Sequence, residues 1–269
     1  MFKTRLISGV ILVAAALLLI TSGGYILFFT MLALSLIAAG ELYRATKVRT
    51  DRAFSLMDTA GYIGIVLYYI AILILPSELH LMAVIIGFFI IMFVYVFTYP
   101  KYKAFQTMAA VFGIIYCGVM LSFIYRTRML PEHGRYLVWL IFLSAWGCDT
   151  CAYCVGSLIG KHKMSPVLSP KKSVEGAVGG VAGAFILGIL FALFTHGPLL
   201  IYGVICGAGA IISMVGDLAA SAIKRNMEIK DYGKLIPGHG GILDRFDSII
   251  FTAPVIYYLS YLLLDFIAF

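Results

Sequence analysis

Residues 81–98 read LMAVIIGFFIIMFVYVFT and contain no charged side chain. A stretch of about 20 apolar residues is long enough to cross the hydrocarbon core of a bilayer as an α-helix. Similar stretches recur along the chain, of whose 269 residues 62% are hydrophobic and 12% charged. Soluble domains are typically about half apolar and about a quarter charged. We therefore predict an integral membrane protein.

Turn residues such as Ser22-Gly23-Gly24 and Gly197-Pro198 separate the apolar stretches. The first stretch lacks a small-residue cleavage site, which favours a retained helix over a signal peptide. The sequence thus predicts an all-α bundle of about nine transmembrane helices. The predicted spans are 6–21, 24–40, 59–75, 81–98, 105–124, 137–159, 176–195, 199–220 and 248–267.

The basic residues indicate the orientation of the bundle. Nine alternating spans that start in the cytoplasm leave Arg126, Arg128 and Arg135 outside and the other 17 of the 20 Lys and Arg residues inside. Cytoplasmic loops are enriched in Lys and Arg, so we predict a cytoplasmic N-terminus and an external C-terminus. Because these cations lie in short loops, the net charge of +7 indicates topology, and we expect no nucleic-acid partner.

Charge within the spans predicts two regions. The spans before about residue 105 hold almost no buried charge, whereas later spans contain Asp149 and Asp217. Ionisable groups inside a membrane are costly and usually functional. We predict a transmembrane scaffold in residues 1–104 and a catalytic region in residues 105–269. The alternative for each aspartate is a silent ion pair or a helix cap.

The polar segment Ser221–Asp247 continues from Asp217. On a helix, Asp217, Ser221, Lys224 and Arg225 stand at i, i+4, i+7 and i+8 and so share one face. A carboxylate near a hydroxyl and two cations suits a metal–phosphate site. The alternative is an amphipathic helix end whose Lys and Arg side chains reach the interface.

Lys230–Asp247 contains four glycines. Gly240-Gly241 would let a ligand approach the main chain, whose free N–H groups bind anionic oxygens. Asp244 and Asp247 share a face if the next helix has begun, and carboxylates suit Mg²⁺ bound together with substrate phosphates. His239 is interpreted as a phosphate donor or a base, against the alternative of a polar loop residue.

A second polar island precedes the seventh span and contains Ser169-Pro170-Lys171-Lys172-Ser173. Cations and a hydroxyl before a helix N-terminus are typical of an anion site. The alternative is an ordinary cytoplasmic loop. Both islands are predicted on the same face of the membrane, which favours a shared role.

Three of the five cysteines, Cys148, Cys151 and Cys154, stand three residues apart. This spacing allows a metal site, but no further Cys or His lies close in the sequence. We favour a stripe of small residues on a packed membrane helix.

The chemistry that these residues support is phosphoryl or nucleotidyl transfer, in which positioning and charge neutralisation dominate. No Gly-x-Ser-x-Gly, His-Glu-x-x-His or Walker A motif is present. Serine and zinc hydrolases are therefore disfavoured.

The polar segment also carries a family signature. It contains Ser221-x-Ile223-Lys224-Arg225, Lys230-Asp231-x-Gly233, and Ile236-Pro237-x-His239-Gly240-Gly241-Ile242-x-Asp244-Arg245-Phe246-Asp247. This pattern resembles the phosphatidate cytidylyltransferases, also called CDP-diacylglycerol synthases, and the likeness extends over residues 140–250. Ser173 departs from the Thr that is more common there, and Cys151 and Cys154 replace bulkier or glycine residues, without loss of a functional group.

The resemblance implies a reaction in which CTP and phosphatidic acid form CDP-diacylglycerol and pyrophosphate with Mg²⁺, and leaves a second cation open. It implies Asp217, Asp244 and Asp247 as metal ligands, with Asp231 and Asp149 as further candidates near the metal or substrate. Phosphate contacts fall to Lys171, Lys172, Lys224, Arg225, Lys230 and Arg245. Phosphate oxygens are expected to be oriented by Ser173, Ser221 and His239. The expected substrate site also includes Ser169, Glu175, Gly240 and Gly241.

The resemblance also implies membrane-lipid partners and a homodimer. We expect a bacterial plasma-membrane protein whose active site faces the cytoplasm. One alternative is a secondary transporter of an anionic solute, but the front half lacks the polar counterpart that internal repeats would supply. A CDP-alcohol phosphotransferase would need an Asp-Gly-x-x-Ala-Arg core, which the chain lacks.

Overall fold

The computed structural model describes residues 2–49, 54–131, 133–236, 238 and 240–265, and these are mostly helical. The helices are α1 (Phe2–Ser22), α2 (Gly24–Ala45), α3 (Leu56–Ile74), α4 (His80–Phe97), α5 (Ala104–Gly113), α6 (Met120–Arg128), α7 (Gly134–Phe142), α8 (Cys148–Ile159), α9 (Val174–Thr195), α10 (Leu199–Asn226) and α11 (Leu243–Asp265). π-Helical turns, Ile114–Val119 and Leu143–Gly147, join α5 to α6 and α7 to α8 into continuous helical segments.

The predicted all-α, multi-pass architecture is confirmed. Within the described residues, eight helical segments are long and apolar enough to cross a bilayer. The remaining predicted span, 6–21, falls on α1, where Gly9–Ser22 forms a shorter apolar stretch. Large apolar side chains such as Phe97 and Phe194 are 81% and 85% exposed, as expected of surfaces that face lipid. The orientation of the termini stays a prediction.

A short hairpin was not predicted. Strands β1 (Lys163–Ser165) and β2 (Ser169–Ser173) pair antiparallel, with Lys163 opposite Ser173. The second polar island is therefore a β-hairpin and not a simple loop. Its sequence lacks the alternation of apolar and polar residues that marks a strand, so the pattern offered no signal for it.

The chain divides into two compact units. The first unit consists of Met1–Ser122 together with Met227–Arg245, and the second consists of Phe123–Asn226 together with Phe246–Phe269. The polar segment after α10 thus packs with the front of the chain. Our division into a scaffold before residue 105 and a catalytic region after it describes where the chemistry lies. It differs in kind from these packing units and stays a prediction.

The first unit contains two buried carboxylates near helix ends. Glu41 is 1% exposed and Asp58 is fully buried. Asp58 caps α3, because its Oδ1 accepts the Ser55 N–H at 2.5 Å and its own N–H donates to Ser55 Oγ at 3.3 Å. Both residues lie just outside the predicted spans 24–40 and 59–75, whereas the helices extend past those limits.

The second unit is packed through small residues on α8, α9 and α10. A Cβ added at Gly180 would lie 2.9 Å from Cys148 Sγ, and one at Gly183 would lie 2.5 Å from Cys151 Sγ. Close backbone approach through such residues is typical of membrane helices. The packing interpretation is confirmed for Cys148 and Cys151, whereas Cys154 is exposed.

Candidate active site

Two local contacts tie the hairpin to the start of α9. The Glu175 carboxylate accepts the N–H groups of Lys161 at 3.1 Å and His162 at 3.2 Å, and His162 Nδ1 lies 2.6 Å from its Oε1. The Ser173 hydroxyl accepts the Gly176 N–H at 3.1 Å, which makes Ser173 the N-cap of α9. Glu175 and Ser173 therefore fix the strand that carries Lys171 and Lys172.

The hairpin places Lys172 against Asp217 of α10, with the Lys172 Nζ in an ion pair with Asp217 Oδ2. Each side chain is 27% exposed. A partly exposed ion pair contributes only about 0–1 kcal/mol to folding, which gives little stabilising reason to place it there. The structure thus joins the second polar island to Asp217 of α10 through one pair of opposite charges within the second unit.

Helix α10 continues unbroken to Asn226, beyond the predicted end at residue 220. Asp217, Ser221, Lys224 and Arg225 therefore lie on one helix and share a face, as predicted. Asp217, Ser221 and Lys224 are half-buried, whereas Arg225 is exposed. This face presents one carboxylate, one hydroxyl and two cations.

Asp247 lies where α11 packs on α10 within the second unit. A Cβ added at Gly216 would lie 2.9 Å from the Asp247 carbonyl oxygen, so glycine permits this close contact beside Asp217. The Asp247 carboxylate accepts the Ser248 N–H at 2.8 Å. The helix has begun at Leu243, which meets the condition for Asp244 and Asp247 to share a face.

In the first unit, the segment after α10 folds back on itself. The Ile236 N–H donates to the Gly240 carbonyl at 2.8 Å, and Gly238 and Gly240 have φ angles of 79° and 89° that favour glycine. The Asp244 Oδ2 accepts the N–H groups of Tyr232 at 2.8 Å and Gly241 at 3.0 Å. The Gly241 N–H is therefore not free, contrary to our interpretation of a glycine pair with open amides.

Sequence analysis missed Glu41 of α2. Its carboxylate accepts the Ile242 N–H at 3.1 Å and the Leu243 N–H at 2.8 Å. The available signal was an ionisable residue at the end of an apolar span. Glu41 lies one residue past the predicted span 24–40.

The structure gives the positions of most of the other predicted site residues. Asp149 is exposed in the first turn of α8, directly after the π-helical turn, and Ser169 is half-buried at the start of β2. His239 lies outside the described residues. Four further site residues are also exposed, namely Lys171, Lys230, Asp231 and Arg245.

The carboxylates have the donor chemistry that Mg²⁺ requires. Hard carboxylate oxygens suit this ion, which usually takes one or two of them and completes its shell with phosphates and water. Asp217 already faces a cation, the ammonium of Lys172. Among the described residues no group of three or more His, Cys, Asp or Glu side chains could hold a metal alone. The carboxylates thus have the chemistry of ligands to an ion that also binds substrate phosphates.

Comparison with known proteins defines the class. The model of the cytidylyltransferase family matches residues 3–263, and the chain therefore belongs to this family. A Bacillus subtilis protein named phosphatidate cytidylyltransferase is 32% identical over 271 residues, which cover 96% of this chain and 97% of the relative. A Staphylococcus aureus protein of the same name is 30% identical over 264 residues, with 94% and 97% covered. Membership in a family of transferases favours the enzyme over the transporter alternative.

Proposed function

We propose that this protein is a phosphatidate cytidylyltransferase that converts CTP and phosphatidate into CDP-diacylglycerol and pyrophosphate. The proposal rests on the family match along nearly the whole chain and on the names of relatives with the same extent. The structural observation that supports the proposal most is the Lys172–Asp217 pair. It brings together a lysine, which is a residue type that binds phosphates, and an aspartate, which is a residue type that binds divalent cations.

The reaction is a nucleotidyl transfer at the α-phosphorus of CTP. A phosphate oxygen of phosphatidate attacks this phosphorus, and the bond from the α-phosphorus to the oxygen bridging to the β-phosphorus breaks. The electron pair of that bond leaves with pyrophosphate. Positioning of two anionic substrates and neutralisation of their charge are the main catalytic requirements.

The chain's own cations meet the charge requirement. Lys171 and Lys172 on the hairpin, and Lys224 and Arg225 on α10, bind phosphate oxygens of the two substrates in this proposal. Arg and Lys serve this role because they donate several charge-assisted hydrogen bonds. Lys230 and Arg245 complete the set, with the hydroxyls of Ser173 and Ser221 orienting phosphate oxygens.

Asp217, Asp244 and Asp247 are the carboxylates that the family resemblance implies as ligands of Mg²⁺. A bound Mg²⁺ ion would supply positive charge next to the substrate phosphates. The ammonium of Lys172, which pairs with Asp217 in this structure, would bind an anionic phosphate oxygen of the substrate. The ion pair is thus interpreted as the resting state of two groups that both engage during catalysis.

The membrane supplies one substrate and the cytosol the other. We infer that the site opens toward the cytoplasm, where CTP is found, and toward lipid, because phosphatidate is a membrane component. The Lys and Arg distribution supports this orientation. We also infer, from the family resemblance, a homodimer in a bacterial plasma membrane.

Purified protein in detergent or vesicles is expected to transfer labelled cytidylate from CTP to phosphatidate and to release pyrophosphate, with a requirement for Mg²⁺ or a similar ion. The measurement is radiolabel in the lipid phase, followed with and without a chelator. Folded protein that forms no lipid-linked cytidylate would refute the proposed reaction, and full activity in chelator would refute the metal requirement.

The orientation is tested by cysteine labelling. With Cys154 replaced by serine to remove an exposed native thiol, Lys234→Cys is expected to react with an impermeant maleimide only from the cytoplasmic side. Met129→Cys, in the connection between α6 and α7, is the matched variant and is expected to react only from outside. The reverse result, or reaction of both on one side, would contradict the orientation.

A further inference from the structure

We propose that Glu41 is a positioning residue for nucleotidyl transfer, which holds the backbone of Ile242 and Leu243 and thereby directs Asp244. This inference rests on the proposed function for its catalytic part. Its structural part stands on contacts within the first unit. The two parts are tested separately below.

The residue that precedes helix α11 supplies no side-chain cap for the first amides of the helix. The first N–H groups of a helix have no partner within the helix, and a Ser, Thr, Asp or Asn side chain usually supplies one. Here Ile242 precedes the first helical residue, Leu243, and its side chain carries no acceptor. The Glu41 carboxylate supplies the acceptor instead, from a helix about 200 residues earlier, and binds the N–H groups of both residues.

The burial of Glu41 favours this role over a direct catalytic one. Glu41 is 1% exposed, and each of its two oxygens accepts a backbone N–H. A buried carboxylate is costly unless it is hydrogen-bonded, and these bonds use the oxygens that a substrate would need. The positive end of a helix dipole further stabilises the charge.

Two glycines leave the space that the Glu41 carboxylate fills. A Cβ at Gly241 would overlap this carboxylate, and its three nearest atoms all belong to Glu41. A Cβ at Gly233 would also overlap Glu41 and would lie 3.0 Å from the Gly241 Cα. Neither glycine has a positive φ angle, so space and not backbone conformation requires glycine there.

Tyr232 and residues 241–243 are therefore held by two buried carboxylates. Asp244 binds the N–H groups of Tyr232 and Gly241, while Glu41 binds those of Ile242 and Leu243. Asp244 follows Leu243 directly, so a shift of the Leu243 backbone moves the Asp244 side chain. Glu41 thus acts on the reaction through a neighbouring residue.

The first test measures Glu41→Gln and Glu41→Ala against Asp58→Asn, a buried carboxylate of the same unit that caps α3 and lies outside the proposed site. We expect kcat to fall about 10–100-fold in the Glu41 variants, as for residues that orient metal ligands, with less change in KM for CTP. Asp58→Asn is expected to keep kcat within about threefold. Equal losses in the Glu41 and Asp58 variants would overturn a specific role for Glu41.

The second test does not depend on activity. Hydrogen exchange of the Ile242 and Leu243 amides, resolved by mass spectrometry of short fragments, is expected to be faster in Glu41→Ala and to remain slow in Asp58→Asn. Unchanged exchange at these amides would overturn the positioning role. Faster exchange in a protein that forms no lipid-linked cytidylate would support the positioning of the segment and refute only the proposed reaction.

The third test is a double-mutant cycle. Gly241→Ala alone introduces a methyl group into the Glu41 carboxylate and is expected to lower kcat strongly. In a Glu41→Ala background the space is free, and the additional loss from Gly241→Ala is expected to shrink by at least about fivefold, as for residues in contact. Losses that multiply independently would contradict the overlap and, with it, the proposed contact.

Discussion

Asp217→Asn is expected to lower the turnover of CTP and phosphatidate by at least about a hundredfold, a magnitude typical of the loss of one charge-stabilising group at a reacting centre. The amide retains the size of the side chain and an oxygen that accepts from Lys172. It lacks the negative charge that a divalent cation requires. Steady-state kinetics over a range of Mg²⁺ concentrations measures this effect.

The stability of the Asp217 variant separates catalysis from folding. The ion pair with Lys172 is partly exposed, so its loss should change the free energy of unfolding by only about 0–1 kcal/mol. Glu78→Gln, a conservative change of an exposed carboxylate before α4, serves as a control and should be silent in both assays. Near-normal turnover of Asp217→Asn would remove Asp217 from the metal site and leave only the ion pair.

Asp244→Asn and Asp244→Ala are expected to differ in stability and to agree in activity. Both remove the charge and should lower turnover by at least about a hundredfold. In Asp244→Asn the side-chain oxygen still accepts the N–H groups of Tyr232 and Gly241. In Asp244→Ala these two buried donors lose their acceptor, at a cost of about 1–3 kcal/mol for each.

Thermal unfolding and turnover measured on both variants test this pair of expectations. A lower melting temperature in Asp244→Ala than in Asp244→Asn would confirm the structural contacts. Near-normal turnover in Asp244→Asn would show that Asp244 serves only to bind the N–H groups of Tyr232 and Gly241. It would remove Asp244 from the metal site. Equal melting temperatures would contradict the two hydrogen bonds.

The helices could be predicted because bilayer thickness sets the length of an apolar span. The predicted span 81–98 corresponds to α4, His80–Phe97, and the span 176–195 to α9, Val174–Thr195. Helix ends were less predictable. Helix α10 runs on to Asn226 because Ser221–Arg225 continues the helix with polar side chains that an apolar window excludes.

The residue types of the site were predictable, but their contacts were not. The pair between Lys172 and Asp217 joins residues 45 positions apart, and helical spacing carries no information about such a pair. The hairpin that presents Lys172 has no apolar alternation. The contact of Glu41 could not be predicted for a similar reason. Its partners are the backbone amides of residues 242 and 243, and every residue type except proline has such an amide.

The contact from Glu41 to the start of α11 has a consequence for modularity. A fragment that begins after residue 104 would keep every residue of the family signature. It would still lack the Glu41 carboxylate, which binds the backbone of that signature. A chimera that exchanges the front helices with those of a relative would need a carboxylate at the same place, matched to glycines at positions 233 and 241. The amino-terminal half is therefore not an interchangeable membrane anchor, because its Glu41 carboxylate binds backbone amides of the signature segment.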